Sequence, residues 1–290
     1  MNCIICNKKK FIQVWNDKIR SGSKGYTKKK ERIIRCLNCD LVFLKKRKKF
    51  LENSINSRIL YNKNIKIPEF LKFHTKREMH KLNFIKKNIN VKNKKILESN
   101  CGAGIIISDL KKKAKLTAGL DNIYYKDFLE KNNHLFFKDI KQIKKSKNKF
   151  DLIFSFSELE HKYNPVEFLR DLKTILNKKG KIILRVPNYN NIYMFLLGKK
   201  FLYDDYRTSH NYYFSIKNLF LLFQKIGFKI DYYKGINEYS FNHLLNYINY
   251  WDRVRGKKIK NFFLNLKDKK IVRNIENNFV STSLIFILSK

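Results

Sequence analysis

The sequence has few prolines, few acids and no long apolar run. Three prolines in 290 residues exclude a Pro-rich linker or tail. No apolar run reaches the roughly 18 residues that a membrane-spanning helix needs. The start, Met-Asn-Cys-Ile-Ile-Cys-Asn-Lys, lacks the apolar stretch of a signal peptide, so a cytoplasmic protein is expected. Asp and Glu number 24 against 64 Lys and Arg, giving a net charge of +40. Arginine is scarce, however: 12 stand beside 52 lysines, with 33 asparagines. Lys, Asn and Ile share A- and T-rich codons, so a drift in base composition raises them together. Arginine, the better phosphate fork, is not enriched. The charge is therefore read first as drift, and lysine runs such as 8–10, 28–30 and 111–113 as solvated faces. Nucleic acid is a partner that the charge permits but does not favour. At 43% hydrophobic and 14% aromatic, the chain can build a sizeable core, which excludes wholesale disorder.

Five cysteines are present. Cys3-x-x-Cys6 and Cys36-x-x-Cys39 are separated by 29 residues. Two thiolates so spaced share one tight turn, and two such turns complete a tetrahedral S4 shell, the arrangement that zinc favours. Four protein ligands leave no open position, so the metal would be structural. Disulfides are rare in cytosolic chains. A thioredoxin-like redox pair needs one Cys-x-x-Cys after a strand in a βαβ unit, which this segment does not offer. The residue after the second cysteine of such a turn often needs positive φ, and Asn7 and Asp40 are types that tolerate it.

Three segments follow from the pattern: a cysteine module over 1–50, a linker and helical lead-in over 51–93, and a main domain over 94–290. Within the module a short strand is expected at 40–44, and within the lead-in a helix over 69–90. From residue 94 short apolar strands alternate with amphipathic helices, which predicts a parallel sheet with helices on both faces. Strands are expected at 95–98, 116–121, 135–138, 150–156, 181–186, 228–233 and 281–289. Helices are expected at 105–112, 124–131, 165–176 and 216–225, with Gly227 stopping the last. Gly180 reads as a helix-to-strand turn. The piece 241–275 looks helical.

The first strand of that domain runs into Glu98-Ser99-Asn100-Cys101-Gly102-Ala103-Gly104 and then a helix. Glycines at such a turn let the backbone approach a ligand, and the helix start supplies free N–H groups. A dinucleotide loop would carry a third glycine where Ile107 stands, so a ligand without phosphates fits better. Asp121 ends the second strand, where a carboxylate can take both ribose hydroxyls. Asp139 follows the third, where it can face an adenine amino group. Together these acids and the glycine loop outline a nucleoside pocket along the sheet's carboxyl edge.

These residues resemble a class I S-adenosylmethionine-dependent methyltransferase. The subfamily in question reads Leu-Glu-x-Gly-Cys-Gly-x-Gly, then Leu-Glu-His after strand four, then Pro-Asn after strand five. Leu97-Glu98 with Cys101-Gly102-Ala103-Gly104, Leu159-Glu160-His161 and Val186-Pro187-Asn188 match in turn. His210-Asn211-Tyr212-Tyr213-Phe214-Ser215 and Gly227-Phe228 are similar to its later segment. Asn100 departs from the pattern, standing where the family has the loop's first glycine.

The resemblance implies a Rossmann-like, doubly wound, seven-stranded methyltransferase fold behind a small N-terminal zinc-binding module. It implies S-adenosylmethionine held by Glu98, Asn100, Cys101, Gly102, Gly104, Asp121, Asn122, Asp139, Ile140 and Ser155. It places His161 as a base, Glu160 beside it and His210 on the acceptor side, with Tyr203, Tyr206, Tyr212 and Tyr213 as candidate pocket walls. The acceptor expected is a sugar or other small molecule, such as a nucleotide-sugar or a surface-glycan precursor. Two other readings fit the same residues. One is an RNA methyltransferase that uses the module and the basic surface. The other is a catalytically weak S-adenosylmethionine-binding protein, to which Asn100 points.

Overall fold

The computed structural model describes residues 1–22, 25–47, 67–238 and 268–290. The N-terminal part holds β1 (Phe11–Asp17), β2 (Arg20–Ser21), β3 (Gly25–Tyr26), β4 (Glu31–Cys36) and β5 (Val42–Leu44). A long helix, α1 (Ile67–Asn88), leads into the main sheet. Then come β6 (Lys95–Ser99), α2 (Ile105–Leu110), β7 (Leu116–Leu120), α3 (Lys126–Lys131), β8 (Leu135–Phe137), α4 (Ile140–Lys145), β9 (Phe150–Phe156), α5 (Pro165–Thr174) and β10 (Leu176–Pro187). The chain closes with α6 (Ile192–Leu197), α7 (Lys199–Asp205), β11 (Tyr212–Tyr213), α8 (Ile216–Ile226), β12 (Lys229–Ile236), α9 (Asp268–Asn277) and β13 (Ser283–Ser289).

The main sheet has seven strands in the order β12-β13-β10-β9-β6-β7-β8. β13 runs antiparallel to both neighbours, and the other pairings are parallel. Its inner strands are buried on both faces, as the near-continuous apolar runs of β9 and β13 require. The chain moves outward from β6 to β7 and β8, then returns to lay β9 on the other side of β6. That reversal opens a crevice at the strands' carboxyl ends, the usual place for a ligand in such sheets. The α/β, doubly wound architecture is the one expected, and all seven strands fall within a few residues of their expected positions.

Local chemistry sets the element ends. Asn164 caps α5 by accepting from Glu167 N, and Pro165 takes the first helical position, where its missing N–H costs nothing. Ser215 and Asn218 form a reciprocal capping box on α8, and Gly227 ends that helix at φ 76°. Gly180 corrects the expectation of a turn. It lies inside β10, where pairing with β9 slips between Leu176 and Lys181. A Cβ there would stand 2.8 Å from the Leu176 side chain and 2.9 Å from the Phe150 carbonyl. The expected module boundary near residue 50 and most of the 241–275 helix lie outside the described residues.

The second sheet joins distant parts of the chain. Its order is β1-β4-β5-β11, so a strand from beyond residue 210 completes the cysteine module. Tyr212 pairs with Phe43 and Tyr213 with Val42. One apolar core runs from Cys3, Ile5, Cys36 and Leu41 through Phe43 and Tyr212 to Leu219, Leu222 and Phe223 of α8. Each side chain of that size, once fully buried, contributes roughly 1.5–3 kcal/mol. Lys225 donates to the Ile4 and Ile5 carbonyls, and Lys217 pairs with Asp40 at 2.6 Å, so α8 also holds the module through polar contacts.

Candidate active site and cysteine centre

The two cysteine turns repeat one hydrogen-bond pattern. Asn7 N donates to Cys3 O and Cys3 N to Lys8 O; Asp40 N donates to Cys36 O and Cys36 N to Leu41 O. Asn7 (φ 60°) and Asp40 (φ 58°) both take the left-handed conformation expected of them. The four sulfurs lie within 4.8 Å of one another, with Cys3–Cys39 and Cys6–Cys36 at 3.5 Å. A tetrahedral zinc with Zn–S of about 2.3 Å spaces its sulfurs by about 3.8 Å, so the cluster fits that ion. The neighbouring Cys39 sulfur lowers the Cys3 thiol, with backbone N–H groups of Cys6 and Ile5 adding to it. The same pairing raises Cys39, and burial raises Cys36, so the fit to zinc rests on the spacing of the sulfurs.

At the crevice, β6 delivers Glu98 and the glycine loop. Asn100 sits at φ 59°, Gly102 at 55° and Gly104 at 69°, so the loop needs three residues able to turn left-handed. Asn100 accomplishes this and donates its N–H to Leu120 O at 2.8 Å. Cys101 is buried, and its sulfur lies where a Cβ on Gly119 would fall 2.6 Å away, so it fills core. Ile107 is fully buried and packs toward Gly104, filling space that a third glycine would leave open.

Asp121 accepts from Gly102 N and Asn122 N, both at 2.6 Å, which ties the loop to the end of β7. Burial pushes its carboxyl up to about 6. Asn122 caps the next turn through Tyr124 N. Asp139 accepts from Gln142 N as the cap of α4, whose first residue is Ile140. Burial also raises Glu98, with the Glu78 carboxylate adding to it, and its Oε2 has no hydrogen-bond partner. An orphaned carboxylate oxygen in a cleft suits a cationic ligand such as a sulfonium nucleoside.

Beyond β9, Leu159–His161 form a single 3-10 turn. Glu160 is 2% exposed, its carboxyl is raised by burial, and its Oε2 is unpartnered. His161 Nδ1 donates to Ser209 O at 2.5 Å, which leaves Nε2 as the acceptor nitrogen. The tautomer is thus set by a backbone carbonyl. Glu160 Oε1 lies 3.9 Å from that Nε2. The His210 ring meets His161 edge-on with centroids 4.9 Å apart, and Glu160, His161 and His210 converge within 4.8 Å. Asn211 fixes the segment by donating to its backbone: its N donates to Glu160 O and its side-chain amide to His161 O.

The structure also shows residues that motif reading missed. Ser155 donates to Glu158 Oε2, and Glu158 pairs with Lys162 at 2.7 Å, so a buried acid lies beneath the site. α1 brings Glu78 and Lys81, paired at 2.5 Å, into the electrostatic neighbourhood of Glu98 and Arg185. Their (i, i+3) spacing on one helix is the signal that could have found them. Phe70 of α1 stacks over Gly102, 3.0 Å from where a Cβ would be. Tyr206, Tyr212 and Tyr213 are buried between module and domain, so they pack the seam and do not line an open pocket. Tyr203 packs on Trp15 and Tyr26. Asn188 reaches the carbonyls of Asn190, Phe279 and Ser281, which makes it a staple between β10 and β13.

A sheet of this order, with a glycine loop after its first strand and acids at the next strand ends, defines a Rossmann-like nucleoside-binding enzyme. A family model described as a methyltransferase domain matches residues 70–233, and the chain belongs to that family. Its fold is that of S-adenosylmethionine-dependent methyltransferases. Solved structures of the same fold include a Thermotoga maritima S-adenosylmethionine-dependent methyltransferase, described as a possible histamine N-methyltransferase. That match has 15% identity, covers 83% of this chain and 100% of that one, and has a TM-score of 0.51. Another is a chain from the complex of the Haloferax volcanii Trm112 methyltransferase activator with its methyltransferase. It has 11% identity, covers 83% and 99%, and has a TM-score of 0.54. The tRNA U34 carboxymethyltransferase of Nautilia profundicola is 30% identical over 117 residues, 37% of this chain and 39% of that protein's length. Among the described residues no helix is long and apolar enough to cross a membrane.

Proposed function

We propose that the enzyme methylates a small acceptor, a sugar or nucleotide-sugar, in the cytoplasm, with a structural zinc on Cys3, Cys6, Cys36 and Cys39. The observation that carries the reading is the confined centre at Glu160, His161 and His210. Two of its three side chains are buried, and only His161 is partly open, at 22%. Such a centre suits a small reacting group. S-adenosylmethionine, when bound, supplies the methyl group. Glu98, Asp121 and the loop from Asn100 to Gly104 hold it, and Asp121 takes the ribose. His161 Nε2 removes the acceptor proton, which from a sugar hydroxyl or a carbon beside a ketone is too weakly acidic to leave unaided. His210 closes the acceptor side.

The test is calorimetry with S-adenosylhomocysteine, followed by turnover on a panel of nucleotide-sugars. Binding in the micromolar range, about −8 kcal/mol, is expected. NADH should not bind. An RNA acceptor is the second reading, favoured by the similarity to a tRNA-modifying enzyme and by the net charge. It predicts RNA binding that falls steeply with salt, because phosphate contacts release counterions.

A further inference from the structure

Where the cysteine module meets α5 and α8, the described residues form an open surface depression of about 330 Å³. Among the described residues Arg47, Arg170 and Lys225 line it together with Asn2, Asn7 and Asn164, and the Asn164 amide donates to the Glu167 carboxylate at 3.1 Å. Codon drift accounts for lysine and asparagine, yet not for two of only 12 arginines on one depression. Arg47 is pre-organised. Its Nη1 donates to Tyr212 OH at 2.7 Å, and its guanidinium lies 5.5 Å from the Tyr163 ring centre and 5.8 Å from those of Phe43 and Tyr212. Holding an arginine in place before a ligand arrives lowers the entropy cost of binding. Lys225 spends two N–H groups on the Ile4 and Ile5 carbonyls, which leaves its ammonium a third donor. Arg170 is exposed on α5 and pairs with no described residue, so its planar fork is available to an anion.

The depression is also wired to the reaction centre. Tyr212 OH, which accepts from Arg47, donates in turn to Tyr163 O, two residues beyond His161. Asn164, on the wall of the depression, follows at once.

We propose that this seam binds the diphosphate of a nucleoside-diphosphate-linked acceptor. The proposal rests on the small-acceptor reading above and adds to it a binding role for the cysteine module. A diphosphate diester carries a negative charge on each phosphorus, which suits two guanidinium forks and an ammonium. Its nucleoside would lie outward along the seam and its sugar inward, toward His161.

The experiment uses the full chain with its metal. The probes are uridine diphosphate, inorganic pyrophosphate and, as a control without phosphate, uridine, each titrated by calorimetry at low and raised salt. Both phosphate probes should bind and uridine should not. Arg170→Glu, at an exposed position, should weaken uridine diphosphate at least about tenfold and leave S-adenosylhomocysteine affinity and zinc content unchanged. The proposal is overturned if neither phosphate probe binds to protein that does bind S-adenosylhomocysteine, or if Arg170→Glu keeps full affinity. It is also overturned, in favour of nucleic acid, if short single-stranded RNA binds through Arg170 while uridine diphosphate does not. Failure to bind S-adenosylhomocysteine would instead strike the reading on which the proposal rests.

Discussion

Two side chains carry most of the expected chemistry, and each can be tested alone. The Ser209 carbonyl holds the proton on His161 Nδ1, so Nε2 keeps its lone pair at the crevice. A base acts in the transition state and contributes about 10²–10⁴-fold. His161→Ala should therefore cut single-turnover rates at least about a hundredfold and leave S-adenosylhomocysteine affinity within about threefold. Near-normal chemistry in that variant would make His161 a packing residue. Asp121 offers a second test through pH. Its carboxyl is raised to about 6 by burial, so it loses its charge as pH falls through that value. A neutral carboxyl is a poorer acceptor for ribose hydroxyls, so cofactor affinity should drop by up to about tenfold per pH unit below 6. Asp121→Asn should bind more weakly at pH 8 and lose that pH dependence. A wild-type affinity that is flat from pH 8 to 5 would show that Asp121 does not carry the ribose.

At the scale of elements, the strands were legible and the polar seams were not. Seven apolar runs with a glycine loop after the first gave the main sheet, because strands buried on both faces show as unbroken Val, Ile, Leu and Phe. The cysteine spacing and the left-handed Asn7 and Asp40 were equally readable, since both follow from local geometry. Gly180 misled, because a glycine looks the same in a bulge as in a turn. Asp139, expected to face an adenine amino group, also caps α4 by accepting from Gln142 N, a second role that was not anticipated. β11 could not be foreseen: its pairing with β5 spans about 170 residues, and no local pattern encodes it. His134 was likewise silent in the sequence. It bridges α2 and β7, taking Ser108 Oγ at 3.0 Å and Thr117 Oγ1 at 2.7 Å, and burial lowers it from 6.5 to about 4. The unfolded chain therefore binds the extra proton first, so stability is fully present above pH 6.5 and is lost as pH falls toward 4. Urea midpoints should decline across that window, and His134→Gln should flatten the decline. An unchanged slope in the variant would assign the acid sensitivity elsewhere.

At the scale of the molecule, the cysteine module and the methyltransferase domain share one core and one sheet edge. Cys3, Cys36 and Cys39 lie in the same apolar cluster as Leu219, Leu222 and Phe223. β11 completes the module's sheet on one side, and its neighbour Asn211 grips the carbonyls of Glu160 and His161 on the other. A change in the cysteine centre is therefore expected to reach the Leu159–His161 turn through a single short strand. Binding of a structural metal adds directly to folding free energy. Cys36→Ser should release zinc and lower the melting temperature of the whole chain in one transition, and not melt the module separately. Cofactor affinity, expected to come from residues at the ends of β6 and β7, should fall by less than about threefold at temperatures where the variant is folded. Turnover should fall further, because Asn211 then holds His161 less firmly. Calorimetry resolving two transitions, with the larger one at the wild-type temperature, would mean that the shared core does not couple the two parts. Turnover that survives zinc loss unchanged would mean that β11 does not position the base.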